Sequence, residues 1–426
     1  VVLEEAPPIE TSPARVELPV VPWLLSAKNG QALRQHARRL LDSLPETVDP
    51  AQVAAALAVG RAQLEVRAAA IGSDTAELRE QLRALAEGEA EPLPTVHGKR
   101  VFLFTGQGSQ RARMGQELYH TFPVYREAFD ATCAELDPHL DRPLRSLVFS
   151  DNDAQLHETR YAQPALFALQ IALFRLLEHH GITPDLMLGH SLGELSAAHC
   201  AGILDLPSAA SLVATRAALM HSAPTGGAMI AIQATEEELT PHLTDAVSIA
   251  ATNSPTNTVI SGDADAVHAI ANHFKNQGRK TSELKVSHAF HSPHMDPILD
   301  AFHTHATTLT YHPPTIPLHP NHDHPHPFTP DYWTSHIRHT VRYHQGLHTL
   351  HTHHTIAHLT EIGPDPVLTT LAQHTHPNTP TTAPLRTNTP ELTTYLTTLT
   401  HHPTTNWTTL TTTNTPNLPL PTYPFQ

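Results

Sequence analysis

Residues 186–200 read LMLGHSLGELSAAHC: an apolar run that breaks at Gly189, His190, Ser191, Leu192 and Gly193 and resumes as a helix-like stretch from Glu194 to Cys200. A strand that turns sharply into a helix through Gly-x-Ser-x-Gly is a nucleophile elbow, and it lifts a serine Oγ clear of the sheet end. Glycine flanks the turn because a Cβ there would strike neighbouring backbone. The helix that follows aims its free N–H groups and its positive dipole end at the spot where an acyl-transfer oxyanion forms. The stretch therefore predicts an α/β chain with Ser191 as candidate nucleophile.

Three other segments carry residue types that such a site needs. The apolar strand Val101 to Phe104 leads into Thr105, Gly106, Gln107, Gly108, Ser109 and Gln110, where the glycines admit a ligand close to backbone and Gln107 offers an N–H. Taken alone it is also an ordinary strand-end loop. The segment Val286 to Ser292, VSHAFHS, supplies histidines as candidate bases. Arg216 stands in LVATRAALM, Leu212 to Met220, otherwise apolar at helical spacing. By itself such an arginine reads as a surface side chain lying along an apolar face.

Taken in order, GQGSQ (106–110), GHSLGE (189–194), the arginine of VATRAALM, NSP (253–255), HAFHS (288–292) and EIGPDPVL (361–368) resemble the acyltransferase domain of a modular, type I polyketide synthase. The resemblance implies that Ser191 attacks an acyl-CoA thioester while His291, the histidine immediately before Ser292, takes its proton. It implies an oxyanion hole from the N–H groups of Gln107 and Leu192, and a pairing of Arg216 with the free carboxylate of a malonyl group. It further implies a backbone carbonyl that orients the histidine, at the position matched by Arg342 in TVRYH. The acyl group would then pass to the phosphopantetheine thiol of an acyl carrier protein, in a ping-pong sequence with no metal and no permanently bound cofactor. HAFH, Leu192 after the nucleophile and ETRYAQ (158–163) resemble the malonyl-CoA-selective type, with Arg160 departing from the commoner glycine. This makes His288, Ala289, Phe290 and Leu192 candidate specificity residues. Phe290, in place of a small residue, would fill the room a substrate α-methyl needs.

The same resemblance divides the chain into a ketosynthase-to-acyltransferase linker domain (1–95), an acyltransferase domain (96–387) and a post-acyltransferase linker (388–426). Within 1–95, strand-like runs alternate with helices over Pro22 to Ala27, Gln31 to Leu44, Ala51 to Arg61 and Glu65 to Ile71. A last helix starts at Asp74 with a capping box to Glu77 and carries Leu78, Leu82 and Leu85 on one face. The main body is expected to be a hydrolase-like α/β subdomain interrupted by a ferredoxin-like small subdomain of about 227–290. Its segments from Gly227 to Lys285 read strand, helix, strand, strand, helix, strand. VVLEEAP (1–7) and LPTYPFQ (420–426) resemble linker ends, so an upstream ketosynthase and a downstream processing domain are expected in the same polypeptide.

Composition agrees with this organisation without revealing it. A chain of 426 residues suggests two or three units, and a formal net charge of −15 argues against nonspecific nucleic-acid binding. Two cysteines fit a reducing, cytoplasmic setting, and no apolar run is long enough to span a membrane. The His, Thr and Pro bias after about Pro313 contains no CxxC or HExxH pattern and reads as composition drift rather than metal binding. Two alternatives share the elbow. A serine hydrolase or thioesterase would lack a buried arginine, and a methylmalonyl-selective acyltransferase would differ in the pocket.

Overall fold

The computed structural model describes residues 18–93, 97–151, 154–410, 418 and 420–423; the VVLEEAP segment and the last three residues of LPTYPFQ lie outside them. The described residues form two compact units, one drawn from 18–93, His180–Ile182, 395–410, 418 and 420–423, the other from 97–151, 154–179 and 183–394. The described residues from Tyr395 onward thus cluster with 18–93.

In the first unit, strand β1 (Val21–Ala27) pairs antiparallel with β2 (Val66–Gly72). Helices Gly30–Ser43, Pro50–Val59 and Thr75–Glu87 start at Asn29, Asp49 and Asp74, whose side chains accept the first free N–H groups. Leu78, Leu82 and Leu85 are buried together with Trp23, Leu33 and Leu57. The capping box is only half formed. Asp74 accepts from Glu77 N–H, but the Glu77 carboxylate reaches one residue further back, to Ser73 N–H at 2.9 Å.

The second unit holds the elbow. Strand β3 (Lys99–Phe104) pairs in parallel with β4 (Leu186–Gly189), and both are nearly continuous apolar runs because helices cover the sheet. Phe102 and Phe104 meet Phe174 of the helix Thr159–His179. The chain then makes β5 (Gly227–Ile232), β6 (Val247–Ser254), β7 (Asn257–Asp263) and β8 (Thr281–Glu283), an antiparallel sheet in the order β6-β7-β5-β8. Helix Ala264–Asn276 connects β7 to β8 and buries Val267, Ile270 and Phe274. The expected first helix of this subdomain is one turn, Glu236–Leu239, opened by a full capping box between Thr235 and Glu238 and ended by a 3₁₀ turn through Pro241. This is the ferredoxin-like order expected from the sequence.

Strands β9 (Leu318–His319), β10 (Ile356–Ile362) and β11 (Thr381–Thr382) complete the large sheet, in the order β11-β10-β3-β4-β9 with every pairing parallel. The architecture is α/β, with a parallel sheet in the large subdomain and an antiparallel one in the small. No helix among the described residues is long and apolar enough to cross a membrane.

Candidate active site

Ser191 sits at the end of β4, before the helix Leu192–Cys200, with φ 50° and ψ −118°. That left-handed backbone costs a non-glycine residue energy and persists only where the surroundings enforce it. The flanking glycines show what enforces it. A Cβ on Gly189 would lie 2.2 Å from Glu194 N, and one on Gly193 would lie 2.0 Å from Phe104 O.

His291 arrives from the segment after β8, also in the left-handed region, at φ 56°. Its Nε2 is 2.9 Å from Ser191 Oγ, and its Nδ1 is 2.9 Å from the carbonyl of His339. A carbonyl only accepts, so Nδ1 carries the hydrogen and Nε2 is left to accept from the serine hydroxyl. Burial, then the nearby charge of Arg216 and the His336 and His190 rings, hold the His291 pKa well below its usual 6.5. The imidazole is therefore neutral at neutral pH, as a proton acceptor must be.

The carbonyl that orients His291 belongs to His339 rather than to Arg342 as expected. His339 ends the helix Pro330–Arg338 in extended backbone, φ −94° and ψ 166°, which turns its carbonyl away from the helix and leaves it free. Arg342 precedes the helix Tyr343–His353, and its carbonyl is taken by Gly346 N–H at 2.9 Å. Its guanidinium pairs with the Glu236 carboxylate.

Arg216 is 2% exposed, so the surface reading fails. It projects from the helix Leu206–Ser222, donates from Nη2 to Ser191 Oγ at 3.0 Å and from Nη1 to Gln163 Oε1 at 2.5 Å. Its Nε is buried without a partner, and among the described residues no carboxylate lies within 4 Å of it. Burial lowers its pKa to about 10, which leaves it charged at neutral pH. A buried cation beside a serine hydroxyl, with no carboxylate counter-ion among the described residues, leaves room for an anion from outside the chain.

These groups open on a cavity of about 400 Å³ whose walls include Gln107, Leu192, Phe290 and, from the small subdomain, Asn253 and Val286. Gln107 is fixed by Thr159 Oγ1, which donates to its side-chain oxygen at 2.8 Å. The Leu192 N–H begins the elbow helix and so belongs to its set of free donors. Two of the specificity candidates do not line the cavity. His288 is buried against His221 and Ser287, and Ala289 packs where a Cβ on Gly227 would come within 2.5 Å of it. Phe290 and Leu192 do line it. Gln163, which holds Arg216, and Asn253, whose Oδ1 is 2.9 Å from His190 Nε2, lie within the motifs ETRYAQ and NSP but were given no role of their own by the sequence. A cavity of about 460 Å³ in the first unit is lined by Leu25, Leu57 and Trp407; its serine, Ser26, donates to the carbonyl of Ala62 and is not set against a base.

Known proteins are similar to this chain in sequence and fold. The acyl transferase domain family matches residues 101–408, and a CurL-like, polyketide synthase C-terminal family matches 23–82. Polyketide synthase GfsA of Streptomyces halstedii is 43% identical over 372 residues, which is 83% of this chain and 5% of the synthase's own length. The acyltransferase domain from the second module of the salinomycin polyketide synthase superposes with a TM-score of 0.76 at 42% identity, over 91% of this chain and 95% of that one. A malonyl-transacylase solved with its type II polyketide synthase acyl-carrier protein gives 0.63 at 31% identity, over 70% of this chain and 99% of that one. With a family match over most of its length, and a sheet, elbow and cavity to fit, this chain belongs to the acyltransferase domains of modular type I polyketide synthases.

Proposed function

We propose that the domain transfers a malonyl unit from malonyl-CoA to the phosphopantetheine thiol of an acyl carrier protein through an ester on Ser191. The observation that carries the reading is the buried Arg216, without a carboxylate partner and 3.0 Å from the serine oxygen. A dicarboxylic acyl group brings the missing anion. With its carboxylate on Arg216, the thioester carbonyl faces Ser191.

In the first half-reaction His291 Nε2 takes the Ser191 proton as Oγ attacks the thioester carbon. The oxyanion that forms is held by the N–H groups of Gln107 and Leu192, donors of a kind whose loss costs about 2.7 to 4 kcal/mol. The C–S bond breaks, the imidazolium returns its proton to sulfur, and CoA leaves as its thiol. In the second half the carrier's thiol gives its proton to His291, attacks the ester carbon, and Ser191 Oγ leaves as hydroxyl. The acyl-carrier protein bound to the related malonyl-transacylase supports this acceptor. Phe290 in the cavity wall supports malonyl over methylmalonyl as the preferred unit. The family match over residues 23–82 supports reading 1–95 as a linker domain that joins the acyltransferase to an upstream ketosynthase, and 388–426 is read as the linker that follows the acyltransferase.

The test is intact-mass measurement of the chain after competitive exposure to malonyl-CoA and methylmalonyl-CoA. A malonyl adduct is expected on the wild type and no adduct on Ser191→Ala. An adduct that persists on the variant, or a wild type that prefers methylmalonyl-CoA, refutes the assignment it addresses.

A further inference from the structure

Beneath the elbow lies a polar group that the proposed chemistry does not use. Glu194 stands three residues after Ser191 in the first turn of the elbow helix and is 0% exposed. Its Oε1 accepts from the Tyr332 hydroxyl and from Asn321 N–H at 3.3 Å. Its Oε2 lies 3.1 Å from His336 Nε2, a polar contact rather than an aligned hydrogen bond. Tyr332 and His336 are four residues apart, hence on one face of the helix Pro330–Arg338. The residue that caps this helix is His339, whose carbonyl holds His291 Nδ1. Asn321 also donates from Nδ2 to Gly189 O at 3.0 Å, so the strand side of the elbow is tied to the same place.

We infer that Glu194 is a positioning residue: its carboxyl group couples the helix that starts at Ser191 to the helix whose terminal carbonyl orients His291. The two partners of the dyad come from segments far apart in the chain, and nucleophile and base must keep hydrogen-bond distance through both half-reactions. Glu194 spans the two supports directly. Burial raises its pKa to about 8 and holds His336 well below 6.5, so burial favours the uncharged form of both partners. An amide should therefore replace the carboxylic acid well, whereas truncation should not.

The inference rests on the Ser191–His291 reading, and the experiment separates the two. Single-turnover acylation of Ser191 is followed by intact mass at several malonyl-CoA concentrations for wild type, Glu194→Gln, Glu194→Ala and Tyr332→Phe. Displacing a reacting group by about 1 Å can cost roughly 100-fold, so Glu194→Ala is expected to slow acylation by roughly 10- to 100-fold while its half-saturating concentration moves less than about 3-fold. Glu194→Gln is expected to recover the rate to within about 5-fold, and Tyr332→Phe to lose about 3- to 10-fold. A folded Glu194→Ala at the wild-type rate overturns the inference, as does a folded Glu194→Gln as slow as the alanine variant. If Glu194→Ala does not fold, Tyr332→Phe decides, and a wild-type rate there overturns the inference too. A wild type that no extender CoA acylates defeats instead the underlying dyad reading.

Discussion

Replacing Arg216 by alanine removes the one cation that faces Ser191 from the helix Leu206–Ser222, and its effects divide into two kinds. Some fall on every substrate alike. Ser191 Oγ loses a donor at 3.0 Å, Gln163 Oε1 loses its own at 2.5 Å, and a charge that depresses the His291 pKa disappears. The other effect falls only on acyl groups that carry a carboxylate. A hydrogen bond to a charged group contributes about 1.5 to 3 kcal/mol, or roughly 10- to 150-fold in a rate ratio. The measurement is therefore kcat/KM for malonyl-CoA divided by that for acetyl-CoA, since the shared losses cancel in the quotient. The quotient is expected to fall by roughly 10- to 100-fold in Arg216→Ala. The acid limb of the pH profile should also move upward, because His291 loses one of the influences that hold its pKa down. An unchanged quotient, however far both rates drop, would refute the carboxylate role.

Phe290→Ser should raise methylmalonyl relative to malonyl loading, but by no more than roughly 10- to 200-fold, because a methylene-sized difference is worth only about 1 to 3 kcal/mol; competitive loading of both CoA esters checks it, and an unmoved ratio would place the discrimination elsewhere in the cavity. His322 is buried with neither ring nitrogen hydrogen-bonded, its ring centroid 4.3 Å from that of Tyr332 at a tilt of 31°, and burial followed by the neighbouring His336, His324 and His339 lowers its pKa to about 3. A folded pKa below the unfolded value means that its share of stability is intact above about 6.5 and is lost as pH falls toward 3, so His322→Leu should gain on the wild type by about 2 kcal/mol between pH 7.5 and 5. Thermal unfolding at the two pH values tests this, and equal acid losses in both proteins would contradict it.

How much of this was legible in the chain depends on which atoms carry the information. The elbow announces itself because Gly189 and Gly193 meet backbone at about 2 Å, and no other residue fits. The small subdomain was readable as a succession of periods, yet its strand order, β6-β7-β5-β8, is set by pairings that no local pattern encodes. The carbonyl of His339 left no trace, since every residue owns one; only the end of a helix frees it, and a three-residue misplacement to Arg342 follows naturally. His288 and Ala289 entered with the HAFH motif, but membership in a motif does not say which of its residues faces a cavity. The Glu194 to His336 contact joins residues 142 positions apart and required the folded chain.

Phe290 and His291 are consecutive residues, the first in the cavity wall and the second, in left-handed backbone, 2.9 Å from the Ser191 oxygen. On the proposed mechanism, grafting a foreign HAFH-type loop to change the extender unit also transplants the general base. The imported histidine then has to find the carbonyl of a recipient helix it did not evolve beside. Productive chimeras should be those whose junctions carry residues 288–292 together with the helix Pro330–Arg338 and His339, and single-residue changes at 290 should be gentler than loop exchange. For assembly-line redesign, the natural unit of inheritance is this pair of segments and not the short motif.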